Sequence, residues 1–205
     1  MMKHIPVLLD SVMRALGDLR GRVVVDATFG AGGYSRAFLT AGARVIAFDR
    51  DPNVVADAQK MMDEFDGRFE FVPRPFSHIA DLTDTYDAIV FDLGISSMQI
   101  DVPSRGFSFR GDGPLDMRMS ADGVSAATLI EQSDAATLAR ILRDYGDVRR
   151  PGALANAMKR ALPKTTFELK NLIHNPNDIA PVFQALRIAV NDEMGELTRA
   201  LAAVP

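Results

Sequence analysis

The sequence contains no cysteine, which excludes disulfide scaffolds, zinc ribbons, iron–sulfur clusters and thiol catalysis together. It also lacks an uninterrupted apolar run of about 18 residues, the length a membrane-spanning helix needs. The apolar stretch that follows Lys3 and His4 is broken by Asp10, too early for a signal peptide. These absences read as a soluble protein of the cytoplasm with no membrane partner. An excess of positive charge is missing as well: 23 Lys and Arg face 27 Asp and Glu, a net charge of −4. Any nucleic-acid binding must therefore come from a local basic patch. His4, His78 and His174 are scattered without metal-ligand spacing, so no metal is expected.

What is present is ordinary globular composition. The 205 residues, 47% hydrophobic and 24% charged, suit one domain or one domain carrying an insertion. The first half alternates strand and helix signals. The β-branched run from Arg22 to Ala27 predicts a strand buried on both faces. A glycine turn follows, then a helix over 34–41. Further strands are expected over 43–48, 69–72 and 87–91, with helices over 7–19, 52–65 and 77–82 between and around them. This rhythm predicts an α/β fold with a parallel sheet.

From Gly94 to Gly123 the pattern gives way to Gly, Pro, Ser, Asp and Arg without a sustained period, too long for an idle loop. Helices resume afterwards. Ser133 is expected to cap one running to Tyr145, Pro151 to open another to Ala161, and Thr165–Glu168 to form a capping box. The apolar spacing of Leu186, Val190, Met194, Leu197 and Leu201 predicts a single long helix over 183–201.

Several residues carry chemistry. Gly30-Ala31-Gly32-Gly33 leaves a buried strand and opens a helix, where backbone N–H groups can approach a ligand without Cβ interference. A tight turn with no ligand is the alternative. Asp49 ends the second strand, where a carboxylate can accept both ribose hydroxyls of an adenosine, while Asp51 is assigned the cap before Pro52. Nicotinamide dinucleotide and S-adenosylmethionine both carry that adenosine. Asp92, at the end of the fourth strand, faces the crevice beside the reacting centre; an N-cap or Asx turn is its bland reading. No suitable hydride-transfer acid or base stands nearby, which disfavours a dehydrogenase. Ser96 and Ser97 lack an activating neighbour and are set aside as nucleophiles.

Arg105-Gly106-Phe107-Ser108-Phe109-Arg110, with Arg118 behind it, interleaves cations and aromatics as an RNA surface does, although the two phenyl rings equally suit a small core. Arg140, Arg143, Arg149, Arg150, Lys159, Arg160, Lys164 and Lys170 give the helical part a local basic face, or merely a solvated one. The polar residues Gln184, Arg187, Asn191, Asp192 and Glu193 recur at helical spacing, a face that could buttress a cofactor pocket.

Taken together, the motifs His4–Leu9, Asp26–Gly33, Asp49–Pro52, Phe76-Ser77, Asp92–Gln99, Arg105–Phe109, Gly113–Met119 and Phe183–Glu193 resemble the bacterial 16S ribosomal RNA cytosine-N4 methyltransferase family. The resemblance implies a class I S-adenosylmethionine-dependent methyltransferase with a Rossmann-like sheet of order 3-2-1-4. Its expected parts are a cofactor-binding core over 1–97, an inserted helical RNA-recognition subdomain over 98–180, and a helix returning to the core over 181–205. By the same resemblance Gly32, Gly33 and Tyr34 hold the methionine part of S-adenosylmethionine, Asp49 its ribose and Phe76 its adenine. Asp92 and Gln99 complete the pocket, Asp92 is catalytic, and Arg105, Phe107, Phe109, Arg110 and Arg118 meet the 16S RNA of the small ribosomal subunit.

Two departures stand out. The family usually has His at the position of Tyr34, and its sheet is finished by strands and a Ser-Phe-His-Ser-Leu-Glu-Asp-Arg segment that this sequence does not contain. The fourth strand is thus expected to be an edge, paired in a homodimer, crossed by the C-terminal helix, or left uncovered in a marginally stable chain. A non-catalytic cofactor- or RNA-binding module is the alternative from another class.

Overall fold

A computed structural model describes residues 6, 8–120 and 122–204, apart from the side chain of Ser97; the first residues of the His4–Leu9 motif and Val7 lie outside this set. The chain forms two compact units, residues 1–94 with 195–205, and residues 95–194.

The first unit opens with α1 (Leu9–Leu16) and is built on four parallel strands: β1 (Val23–Asp26), β2 (Arg44–Phe48), β3 (Phe69–Val72) and β4 (Ala88–Val90). Their order is β3-β2-β1-β4, as expected of a class I methyltransferase sheet. Val24, Val25, Val45 and Ile46 are almost wholly buried, because the inner strands are covered on both faces and carry continuous apolar runs. The crossovers are α2 (Gly33–Thr40) and α3 (Val55–Glu64), the latter entered through a 3₁₀ turn over Pro52–Val54. Asp51 caps that turn, its carboxylate accepting the Asn53 N–H at 3.0 Å. The helix expected over 77–82 is a 3₁₀ segment, Phe76–Asp81, closed by i to i+3 bonds such as His78 N–H to the Pro75 carbonyl. So short a run, led in by two prolines, gains little from α propagation.

The second unit is helical: α4 (Ser97–Ile100), α5 (Ala126–Gln132), α6 (Ala135–Gly146), α7 (Pro151–Ala161), α8 (Thr166–Asn171) and α9 (Ile179–Val190). Leu115, Met117, Ile130, Leu138, Leu142, Met158, Leu169 and Leu186 form its core. Asp134, not Ser133, caps α6 by accepting the Thr137 N–H at 2.7 Å, and Ser133 instead closes α5. The capping box at Thr165 and Glu168 forms as expected. The glycine-rich stretch folds closely on itself. A Cβ at Gly106, whose φ is +72°, would run into the Pro114 carbonyl, and one at Gly113 into that of Pro103.

The long helix expected over 183–201 is two helices, α9 and α10 (Glu193–Ala203). Asp192 takes φ +48° and the Asn191 side-chain N–H donates to the Arg187 carbonyl at 2.9 Å, so Asn-Asp breaks a run whose apolar spacing continues. The expected returning segment is thereby divided, α9 within the helical unit and most of α10 with the sheet. Residues Leu201 and Val204 line a groove of about 330 Å³ beside Tyr86, Ile89 and Phe91, so the C-terminal helix flanks the β4 edge without closing it. No described helix is long and apolar enough to cross a membrane.

Candidate functional site

Parallel pairing brings all four strands to the same carboxyl-end edge, where Asp26 ends β1 and three residues singled out above follow the other strands: Asp49 after β2, Phe76 beyond β3 and Asp92 after β4. The three carboxylates differ in what they do.

Asp26 is fully buried. Its carboxylate accepts the Ser35 hydroxyl at 2.6 Å and the Thr28 N–H at 3.2 Å, tying the end of β1 to the start of α2. Burial pushes its pKa up to about 6, against the lowering effect of those hydrogen bonds and with a further push from the nearby Asp49 charge. Asp49 is half-buried and accepts Gly30 N–H at 2.8 Å on one oxygen and Asp51 N–H at 2.9 Å on the other. Its pKa is also raised, chiefly by burial. Each oxygen has a second lone pair, so the carboxylate that shapes the turn retains acceptor capacity. Asp92 is exposed, and among the described residues no hydrogen bond or ion pair reaches its carboxylate. Its backbone N–H donates to Thr28 Oγ1 at 2.8 Å.

The glycine turn has a specific division of labour. Gly30 is left-handed, and a Cβ there would make only an ordinary contact with the Thr28 carbonyl oxygen, at 3.9 Å. Gly32 is also left-handed, but there a Cβ would collide with Phe29 and Met61, and its N–H is engaged by the Phe29 carbonyl at 2.7 Å. Gly32 is thus a glycine for reasons of packing. The first intrahelical bond of α2 is Arg36 N–H to the Gly32 carbonyl, which leaves the N–H groups of Gly33 and Tyr34 in the unpaired first turn. The Tyr34 ring is buried and stacked on Phe38, centroids 5.9 Å apart, so what this residue offers a ligand is backbone. Its pKa is raised by burial and by the charges of Asp92 and Asp26. Phe76 is half-buried, edge-on to Phe91 at 5.5 Å.

The remaining expected site residues belong to the helical unit, and most are engaged internally. Gln99 is buried; its Oε1 accepts the Ser96 N–H at 3.1 Å while Ser96 Oγ accepts the Gln99 N–H at 3.3 Å, a capping box for α4. Ser-x-x-Gln is a spacing from which this role was readable. Phe107 is buried in the core and Phe109, half-buried, packs edge-on against Phe183, so both rings take part in the core of this unit. The Arg105 guanidinium donates to the carbonyls of Arg118 and Met119, each at 3.0 Å, and lies over the Phe107 ring. Arg118 pairs bidentately with Asp116 at 2.8 and 2.9 Å. Arg110 is exposed. On the basic face, Lys159 donates to the last carbonyls of α5, Lys164 pairs with Glu131 and Lys170 bonds the Phe109 carbonyl, whereas Arg140, Arg149, Arg150 and Arg160 point to solvent.

The polar face of α9 buttresses its own unit. Asn191 accepts the Met119 N–H and donates to the Met117 carbonyl, both at 2.7 Å, and Arg187 forms a bidentate pair with Glu193 across the helix break. Sequence reasoning passed over Asp26, Thr28 and Glu196. An acid ending a strand buried on both faces signals Asp26; Thr28 and Glu196 have partners too remote in sequence for any local signal. Glu196 in α10 is buried beside Arg50 at 3.8 Å and accepts from Ser77 N–H and Arg199. Burial would raise its pKa, but those hydrogen bonds and the Arg50 charge outweigh it and hold the carboxyl below its usual range.

A parallel sheet of order 3-2-1-4 with a glycine turn after β1 and acids at the ends of β1, β2 and β4 is a Rossmann-like arrangement, the one that class I methyltransferases share with dinucleotide-binding domains. The chain belongs to the MraW methylase family, whose model matches residues 1–205. It is 46% identical over 219 residues to ribosomal RNA small subunit methyltransferase H of Rhizobium leguminosarum bv. trifolii, and 47% identical over 216 residues to the protein of the same name from Rhizobium meliloti. Each alignment covers 98% of this chain and 63% of the relative, so the chain spans less than two thirds of the length of these relatives. The C-terminal domain of precorrin-6Y C5,15-methyltransferase from Rhodobacter capsulatus superimposes on 44% of this chain and 50% of its own, with TM-score 0.39 and 24% identity.

Proposed function

We propose that the protein transfers the methyl group of S-adenosylmethionine to the exocyclic N4 amine of a cytidine in 16S ribosomal RNA, acting in the cytoplasm on the small ribosomal subunit. The observation that carries the reading is the contrast among the three strand-end acids in a chain of the MraW methylase family: two shape the glycine turn, and the third, Asp92, is left exposed at the crevice edge. The names of its relatives agree with an RNA of the small subunit as substrate.

The residues present suit the cofactor. Asp49 has lone pairs for the two ribose hydroxyls, the first turn of α2 offers the N–H groups of Gly33 and Tyr34 to a carboxylate, and the Phe76 ring supplies an apolar neighbour for adenine. When bound, S-adenosylmethionine supplies an electrophilic sulfonium methyl. The cytosine amine is a poor nucleophile because its lone pair is delocalised into the ring, and it becomes cationic as the N–C bond forms and the S–C bond breaks. An Asp92 carboxylate accepting its N–H stabilises that charge and receives or relays the proton released. Holding amine and methyl in line supplies much of the remaining acceleration.

The test is to incubate the full-length protein with small ribosomal subunits lacking the modification and S-adenosylmethionine, then identify the digested nucleosides by mass spectrometry. N4-methylcytidine is expected. Methylation confined to another atom or to another RNA would overturn this assignment.

A further inference from the structure

The last backbone rung between β1 and β4 runs from Ala27 N–H to the Val90 carbonyl at 2.9 Å. In a continuing parallel ladder the next rung would join Asp92 N–H to a β1 carbonyl. Instead that N–H goes to the hydroxyl of Thr28 at 2.8 Å, while the Thr28 N–H goes to buried Asp26 at 3.2 Å. A side chain thus substitutes for a strand carbonyl at the point where β4 leaves the sheet. Two residues later Gly94 takes φ +143°, so the chain turns away soon after this rung. Asp26 is itself fixed by Ser35 on α2. A continuous path of hydrogen bonds therefore runs from the first turn of α2, through the end of β1, to the main chain of Asp92.

We propose that Thr28 is a positioning residue for Asp92: its hydroxyl ends the β1–β4 ladder and sets where the Asp92 carboxylate stands relative to the glycine turn. The proposal rests on the role given to Asp92 above. Threonine suits the task because its β-branch restricts χ1, so the hydroxyl is held where the N–H arrives. Valine has the same shape and no acceptor. It would leave the Asp92 N–H without a partner while preserving packing.

The experiment compares Thr28→Val, Thr28→Ser, Asp92→Asn and the Thr28→Val/Asp92→Asn double variant in the full-length protein. Steady-state methyl transfer to small ribosomal subunits is measured beside amide hydrogen exchange at Asp92. The expected result is that Thr28→Val lowers kcat at least tenfold with little change in cofactor KM, that the Asp92 amide exchanges at least tenfold faster, and that Thr28→Ser restores both. Thr28→Val is expected to add no further loss in the Asp92→Asn background, since a residue that acts through another has nothing left to affect. Thr28→Ala takes its place, with the same expectations, if the valine variant does not fold. Wild-type kcat in Thr28→Val with a damaged Asp92→Asn overturns the proposal alone, as does an additive loss in the double variant. Wild-type turnover by Asp92→Asn overturns the role of Asp92 and the positioning role with it.

Discussion

Asp49 illustrates how one side chain can serve fold and ligand together. Its two oxygens organise Gly30 and Asp51, and the remaining lone pairs face the work proposed for the ribose. Asp49→Ala is expected to weaken S-adenosylmethionine binding by about 1.5 to 3 kcal/mol, measured by calorimetry, the usual cost of losing a charged acceptor; unchanged affinity would remove Asp49 from the site. Asp26 makes a different prediction. Its folded pKa, raised to about 6, lies above the unfolded value near 3.8, so its contribution to stability is fully present below about pH 4 and is lost as pH rises through about 6. Asp26→Asn should flatten that part of the stability profile, by on the order of 2 to 3 kcal/mol across the window. Denaturant melts at pH 4.5 and 7.5 decide, and equal slopes in both proteins would show that burial does not perturb Asp26. The cap at Asp51 was legible because it follows from position before a proline, and the placement of Asp49 just after β2 because it follows from the end of a strand run. The internal bonds of Gln99 and Arg105 were not legible, because chemical type says what a side chain can bond and leaves open which internal partner reaches it first.

Elements were legible where one signal dominated. The β-branched runs of β1 and β2, the proline opening α7 and the capping box of α8 each specify their structure locally. Errors fell where two local signals competed. Ser133 and Asp134 are adjacent cap formers, and the register of α6 chose the acid. Across 183–201 the apolar period argued for continuity and Asn191 and Asp192 read only as part of a polar face, but tertiary hydrogen bonds from Asn191 to the 117–119 segment accompany a break there. Asn191→Ala is therefore expected to destabilise the protein by about 2 to 4 kcal/mol, since it leaves buried backbone groups at Met117 and Met119 unpaired. A shift of less than about 0.5 kcal/mol in the denaturant-unfolding free energy would mean that the loop keeps its place without this clamp.

Across the chain as a whole, a net charge of −4 means that the proposed RNA binding depends on a few exposed cations rather than on the overall field. Arg110 is exposed, whereas Arg105 holds two carbonyls and an aromatic ring. Arg110→Ala should lower the salt dependence of RNA binding by about one phosphate contact, while Arg105→Ala should lower the melting temperature; filter binding across salt concentrations and thermal melts separate the two, and the opposite pattern would return Arg105 to the RNA surface. The account rests most heavily on Asp92 as the strand-end acid open to the crevice. Its direct test is methyl transfer to small ribosomal subunits by Asp92→Asn, with cofactor affinity measured on the same preparation. The account predicts near-normal binding of S-adenosylmethionine and a loss of about a hundredfold or more in turnover, the scale of removing one transition-state charge partner. Turnover equal to that of the unsubstituted protein would contradict it.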